Sequence, residues 1–288
     1  MSNSFLSTQL VSKHMNFTKA RSSALNHTFQ IISALLPVHG RRVYEIGCDP
    51  HFVSAKKLVL AGAESVVATN FSNIDQSSIK EWPSIQFIKG DASHSPFEDG
   101  SFDIIYGRAV LEHIPNFSSI ISETFRLLSP GGFVFIEGAP MWTCSNGHHL
   151  WVDGPSGAKY RMNEASPIRD WEHLVFSHDA MLAKLVRDGT PPEDAKAICN
   201  YVYERNTLNR LSPSQILEAF SHVPGLPICG VRFSFARTTP PTIEGLHRND
   251  LMTNKLLLFG HKSSNVDAAM LHSHALYTLQ LAGIKAFL

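Results

Sequence analysis

The 288-residue chain has no charge excess. Lys plus Arg and Asp plus Glu each number 25, for a formal charge of zero. So even a balance gives no general electrostatic hold on nucleic acid or on an anionic membrane surface. Charged residues are also few, at 17%, and no long basic run supplies a local patch in their place. Long apolar runs are missing too: no stretch approaches the ~20 residues that span a bilayer. The polar, Ser-rich Met1–Leu10 lacks the basic-then-apolar order of a secretory leader. The four cysteines, Cys48, Cys144, Cys199 and Cys229, form no CxxC pair. Disulfides and a zinc ribbon are therefore not expected, and the thiols fit a reduced, cytoplasmic setting.

What is present is a run of short β-rich segments alternating with helices. Ala20, Ala24, Leu25, Thr28, Phe29, Ile32 and Leu36 fall close to helical spacing over 18–36, and Pro37 and Gly40 end that helix. Strands are predicted at Arg42–Ile46, Ser65–Thr69, Ile85–Ile88, Ser101–Tyr106 and Phe133–Ile136, with helices at 52–61 and 117–128 between them. This alternation implies parallel βαβ units with right-handed crossovers, hence a doubly wound, mostly parallel α/β sheet. After Gly138 the texture changes to a His-, Trp-, Asn- and Arg-rich stretch without strand alternation, expected to be a mainly helical insertion with an irregular start. The α/β pattern resumes with a helix at 214–220 and strands at 228–236 and 255–259, and Val266–Leu288 reads as a final helix.

Chemistry is concentrated first at Glu45-Ile46-Gly47-Cys48-Asp49-Pro50-His51. A strand ending in an acid and running through a glycine turn into a helix is how an open α/β sheet forms a nucleotide pocket. A nicotinamide dehydrogenase would need G-x-G-x-x-G here, and only Gly47 is present.

Four blocks then carry a resemblance: Glu45-Ile46-Gly47-Cys48; Gly90-Asp91-Ala92; Pro96 through Asp103; and Leu128-Ser129-Pro130-Gly131-Gly132, with Val110-Leu111-Glu112-His113-Ile114 between the last two. In this order the chain resembles a class I S-adenosylmethionine-dependent methyltransferase from about Val43 to Gly138, with a return to Lys262. The resemblance implies a seven-stranded Rossmann-like sheet and S-adenosyl-L-methionine as cofactor. It places Glu45 by the ammonium of the cofactor tail and Gly47 where backbone approaches that tail. Asn70 takes the ribose position usually held by an acid, Asp91 and Ala92 the adenine, and Arg108 the tail or the substrate mouth. Asp49 and His51 depart from the pattern, which favours glycine at both positions. Asp is among the less costly non-glycine residues if positive φ is required, and its carboxylate would favour the cofactor's ammonium or sulfonium. The competing expectation is a catalytically inactive descendant that binds or scaffolds a partner.

The divisions expected are 1–40, an N-terminal helical segment; 41–140, the cofactor-binding core; 141–212, a helical insertion capping the substrate; 213–262, completion of the sheet; and 263–288, a C-terminal helix able to pair with a second copy. Methyl transfer to oxygen gains from a base near neutral pH, and His148, His149 and His173 follow the fifth strand, where the reacting methyl would lie. The bland alternative is that they hydrogen-bond within the insertion. A metal site from His148, His149, Asp153 and His173 lacks HxxxH or HxH spacing, so no metal is expected. His113 is expected below the pocket, or facing the acceptor. Trp142, Trp151 and Trp171 could floor a sugar or aromatic acceptor, although buried tryptophans at a seam are commoner. The His-His-Leu-Trp texture loosely resembles methyltransferases of polysaccharide and secondary-metabolite pathways, which points to a small-molecule acceptor oxygen.

Overall fold

The computed structural model describes residues 19–164, 166–221, 223, 225–235, 238–263 and 265–287. Its centre is a seven-stranded sheet ordered β3-β2-β1-β4-β5-β9-β8. The strands are β1 (Arg42–Ile46), β2 (Ser65–Asn70), β3 (Ile85–Lys89), β4 (Phe102–Gly107), β5 (Leu128–Gly138), β8 (Ile228–Phe233) and β9 (Lys255–His261). The first five run parallel, while β9 lies antiparallel to both β5 and β8. The predicted doubly wound sheet is thus the observed one. Strands buried on both faces read as near-continuous apolar runs, as in β9, where Lys255 through Gly260 are all buried.

Helices cover both faces. They include α1 (Lys19–Leu35), α2 (Val53–Leu60) and α3 (Phe117–Leu127). In α3 the buried Phe117, Ile120, Thr124 and Leu127 recur at helical spacing, and the Asn116 side chain accepts the Ser119 N–H at its start. α1 is pinned to the sheet: Thr28 donates to Glu137 Oε1 at 2.7 Å and accepts from Lys255 Nζ at 3.0 Å. Thr18, predicted as the first residue of this helix, and Ala236, predicted as the end of the β8 strand, lie outside the described residues.

The insertion departs from expectation at its start. A two-stranded antiparallel hairpin, β6 (Trp151–Asp153) and β7 (Lys159–Arg161), precedes its helices. Gly157 turns the hairpin at φ +87°, and alternate side chains on β6 point out, in and out. Then follow α4 (Glu172–Val175), α5 (His178–Arg187), α6 (Pro192–Cys199) and a π-turn over Asn200–Glu204. These elements share their own core of Leu150, Val152, Met181, Leu185, Ile198 and Val202. After α7 (Pro213–Phe220) and α8 (Arg248–Met252), α9 (Ala268–Leu281) buries Leu271, Ala275 and Leu279 and leaves Met270, Tyr277 and Leu281 exposed. No described helix is long and apolar enough to cross a membrane.

Candidate functional site

Strand order reverses between β1 and β4, and ligands of open α/β sheets bind beyond the strand carboxyl ends at such a point. A cavity of about 460 Å³ lies there, within the size range of small-molecule sites. Its walls come from the ends of four strands: Gly47 after β1, Asn70 and Phe71 after β2, Asp91 and Ala92 after β3, and Ala109 and Val110 after β4. His113 and Asn116 form the far side.

The loop after β1 answers the question posed by its bulky residues. Gly47 sits at φ +70°, and a Cβ there would stand 2.5 Å from Val110 Cγ1. Asp49 does not adopt positive φ; its two carboxylate oxygens accept the backbone N–H groups of His51 and Val53, both at 2.9 Å. It therefore closes the turn and caps α2. The left-handed residue is Phe52 (φ 54°), at a cost of about 1–2 kcal/mol for a non-glycine. Full burial of that ring, worth about 1.5–3 kcal/mol, offsets the strain. His51 is exposed and lines a neighbouring cavity of about 420 Å³ that shares Asn70 with the first. Neither Asp49 nor His51 is among the walls of the larger one.

Asn70 is engaged on two sides. Its Nδ2 donates to the Cys48 carbonyl at 2.9 Å and its Oδ1 accepts the Ser72 N–H at 2.9 Å. It ties the end of β2 to the glycine loop, with one carbonyl lone pair left for a ligand hydroxyl. Asp91 Oδ1 accepts from both the backbone and the hydroxyl of Ser93. Phe71, 65% exposed, offers the cavity a bare aromatic face. The sequence reading passed over Phe71, and its signal was its place one residue beyond Asn70.

Behind the cavity's walls the charged residues are buried or half-buried instead. Glu45 is fully buried, and its Oε2 has no hydrogen-bond partner. Burial, with the Asp49 charge adding and the Arg108 charge opposing, raises its pKa to about 8. Arg108 stands 3.7 Å from Glu137 through an Nε that is likewise unpartnered. Lys255 Nζ meets the other oxygen of Glu137 at 2.8 Å.

The insertion's histidines separate. His149 donates from Nδ1 to the Gly147 carbonyl at 2.7 Å, and His113 does so to the Thr207 carbonyl at 2.6 Å. Both Nε2 atoms then face Glu112 Oε1, at 3.8 and 4.0 Å. Glu112 is buried and its Oε2 is unpartnered, as is His149 Nε2. These three residues are the acids and histidines that converge within 4.8 Å among the described residues. That is compact enough for a small cation, and it is equally the arrangement of imidazoles backed by a carboxylate.

His148 and His173 are instead buried in the insertion against each other, ring centres 5.3 Å apart. His148 Nδ1 accepts the Leu150 N–H, and His173 Nε2 donates to the Trp142 carbonyl. Burial lowers their pKa values to about 3 and about 4, with neighbouring imidazole charge adding in both. Groups so weakly basic suit packing better than proton abstraction at neutral pH. Asp153 pairs with Arg161 on the exposed hairpin and does not join the histidines. Trp151 is exposed under Arg161. Trp171 is buried and donates to the Leu251 carbonyl. Only Trp142 keeps a partly open position in the insertion.

The methyltransferase domain family matches residues 40–136, the stretch that builds this cavity. The chain is 24% identical over 180 residues to a 27-O-demethylrifamycin SV methyltransferase of Amycolatopsis mediterranei, covering 59% of this chain and 61% of that one. It is 30% identical over 120 residues to a sterol 24-C-methyltransferase of Schizosaccharomyces pombe, covering 37% and 29%. The chain thus spans less than two thirds of either relative. An S-adenosylmethionine-dependent methyltransferase structure from Mesorhizobium loti aligns over 82% of this chain and 97% of its own, at 15% identity and a TM-score of 0.41.

Proposed function

We propose, from a core at residues 40–136 that matches the methyltransferase domain family, that this chain transfers the methyl group of S-adenosyl-L-methionine to a small-molecule acceptor, at an oxygen of a saccharide or secondary metabolite. The observation that carries the reading is the cavity running from Gly47 and Asp91 to His113 at the strand reversal. Its residues, with the buried Glu45 and half-buried Arg108 that adjoin them in sequence, fit the cofactor. The unpartnered Glu45 Oε2 suits an ammonium, and the Cβ-free Gly47 lets backbone approach the tail. Arg108, with an idle Nε, suits the tail carboxylate. Asn70 keeps a lone pair for a ribose hydroxyl. Asp91 and the Ala92 amide would take the adenine edge, and Phe71 its face.

When bound, the cofactor supplies an electrophilic methyl on a sulfonium. The chain's own part is to hold the acceptor in line and remove its proton. His113 lines the cavity with Nδ1–H held by Thr207, so its Nε2 is the proton-accepting atom. His149 stands beside it, ring centres 5.9 Å apart, and Glu112 faces both Nε2 atoms, where its charge stabilises an imidazolium. The insertion, residues 141–212, contributes His149 and closes this side as the substrate cap. An inactive descendant is disfavoured because Asp49 and His51 lie outside the cavity's walls. The four buried free thiols support a cytoplasmic setting.

Mass spectrometry of the purified protein should find a co-purified adenosyl ligand. Incubation of a cell extract with methyl-labelled S-adenosylmethionine should then label a small molecule. His113→Ala and His149→Ala should each lower that labelling by roughly 10²-fold or more while retaining the adenosyl ligand. Undiminished labelling in both would remove the base assignment.

A further inference from the structure

Three arginines of the insertion, Arg169, Arg205 and Arg210, join no ion pair among the described residues, and of these Arg169 is exposed. Arg161 pairs with Asp153, and Lys184 with Glu172 and Asp188. Arg205 and Arg210 are only partly exposed. The Arg205 guanidinium carbon stands 4.0 Å from the centre of the Tyr201 ring, and that of Arg210 stands 5.5 Å from the Trp142 ring. Nε and Nη2 of Arg205 and Nε of Arg210 are buried without a hydrogen-bond partner. The plane of Arg210 is fixed because its Nη2 donates to the Val202 and Arg205 carbonyls, at 3.2 and 2.7 Å. Arg210 also holds a left-handed backbone at φ +55°. The chain enters this segment through the π-turn over Asn200–Glu204, a feature frequent at functional sites.

An arginine stays charged in proteins, and a partly buried charge without a carboxylate gives up hydration that an anion could restore. Burial pulls the Arg205 pKa down and the Arg210 charge adds to this, with Tyr201 opposing. The position of the pair gives the cost a purpose. Thr207, between the two arginines, accepts the His113 Nδ1–H. Asn209 donates from its backbone to the Glu112 carbonyl and from its side chain to the Leu111 and Ile114 carbonyls. The arginine segment is therefore fastened to the residues that face the acceptor.

We propose that Arg205 and Arg210 receive an anionic group, a carboxylate or a phosphate, on the methyl acceptor, so that the acceptor is an acidic small molecule. The inference rests on the methyl-transfer reading and names its substrate class. The Arg205 fork, stacked on Tyr201, matches either oxyanion bidentately, and Arg210, whose Nη2 is taken by two carbonyls, adds its remaining donors and its charge. An anion held there lies on the segment whose Thr207 carbonyl accepts the His113 Nδ1–H.

The test uses the full chain saturated with S-adenosylhomocysteine, in chloride buffer at constant ionic strength. The thermal midpoint is followed as succinate or inorganic phosphate is added to tens of millimolar. At least one probe should raise it, because a ligand bound only by the folded state stabilises that state. A rise with phosphate alone identifies a phosphorylated acceptor, and a rise with succinate alone a carboxylic acid. Arg205→Gln and Arg210→Gln should abolish the response. Arg205→Lys, which keeps the charge but loses the fork, should weaken it about tenfold or more, and the exposed Arg187→Gln should leave it intact. No response from the wild type, or an equal one in both glutamine variants, overturns the proposal. Adenosylhomocysteine affinity measured on the same samples should be unchanged; its absence from the wild type would strike the methyl-transfer reading instead.

Discussion

The outer rim of the cavity and the layer behind its walls treat polar side chains in opposite ways. On the rim Asn70 and Asp91, and in the loop beside it Asp49, all bond to neighbouring backbone. Behind its walls, Glu45 Oε2, Arg108 Nε, Glu112 Oε2 and His149 Nε2 are buried without a hydrogen bond, although Arg108 faces Glu137 and His149 faces Glu112 at 3.7 and 3.8 Å. Buried polar groups are nearly always paired, and Glu45, Arg108 and Glu112 each stand next in sequence to a residue of the cavity wall, which makes them candidates to meet a ligand. The rim makes the shape, and the layer behind it keeps the chemistry open. The residues that depart from the family pattern in sequence, Asp49 and His51, fall in the loop outside the cavity's walls, where Asp49 holds the turn.

Replacing one of these unbonded groups should therefore cost ligand binding, and replacing an acid of the rim or loop should cost stability. The largest effect is expected for Glu45→Gln. A hydrogen bond to a charged partner is worth about 1.5–3 kcal/mol, so adenosylhomocysteine affinity measured by calorimetry should fall roughly tenfold to a hundredfold. The ligand-free variant should also lose a pH slope. The folded pKa of Glu45 is raised to about 8, so the native state binds its proton more tightly than the unfolded chain. Wild-type stability contributed by this group thus declines as pH climbs from the ordinary glutamate range through about 8. Denaturant melts of Glu45→Gln across that range should lack this part of the decline. The smaller effect is expected for Asp49→Ala, which should cost about 1 kcal/mol as a lost cap and leave affinity nearly unchanged. A tenfold affinity loss with unaltered stability would place the Asp49 carboxylate on the ligand instead.

Much of the fold was legible because its signals are local. Apolar runs such as Val43-Tyr44-Glu45-Ile46, bounded by glycine turns, specify buried parallel strands, and the connecting helices follow from spacing and caps. The β6–β7 hairpin escaped notice although Trp151-Val152-Asp153 alternates and Gly154-Pro155-Ser156-Gly157 marks a turn; three-residue strands give periodicity too little length to register. Asp49 was read as a neighbour of the cofactor because sequence does not reveal that a short acid can satisfy its own loop, a competition settled by backbone geometry. His148 and His149 could not be told apart for a related reason. With His149 at φ 52°, adjacent side chains go to different surroundings, one into the insertion's interior and one toward Glu112. The carboxylate that distinguishes them lies on a separate element. Arg205 and Arg210 drew no interest in sequence because only the absence of a partner makes them informative.

Calorimetry of S-adenosylhomocysteine binding to the wild type at pH 7, in buffers of different ionisation heat, tests the central claim most directly. A ligand ammonium arriving beside the protonated Glu45 should release about one proton to the buffer, by the linkage that couples binding to pKa, and affinity should strengthen as pH approaches 8. Absence of any heat at millimolar ligand would contradict the account.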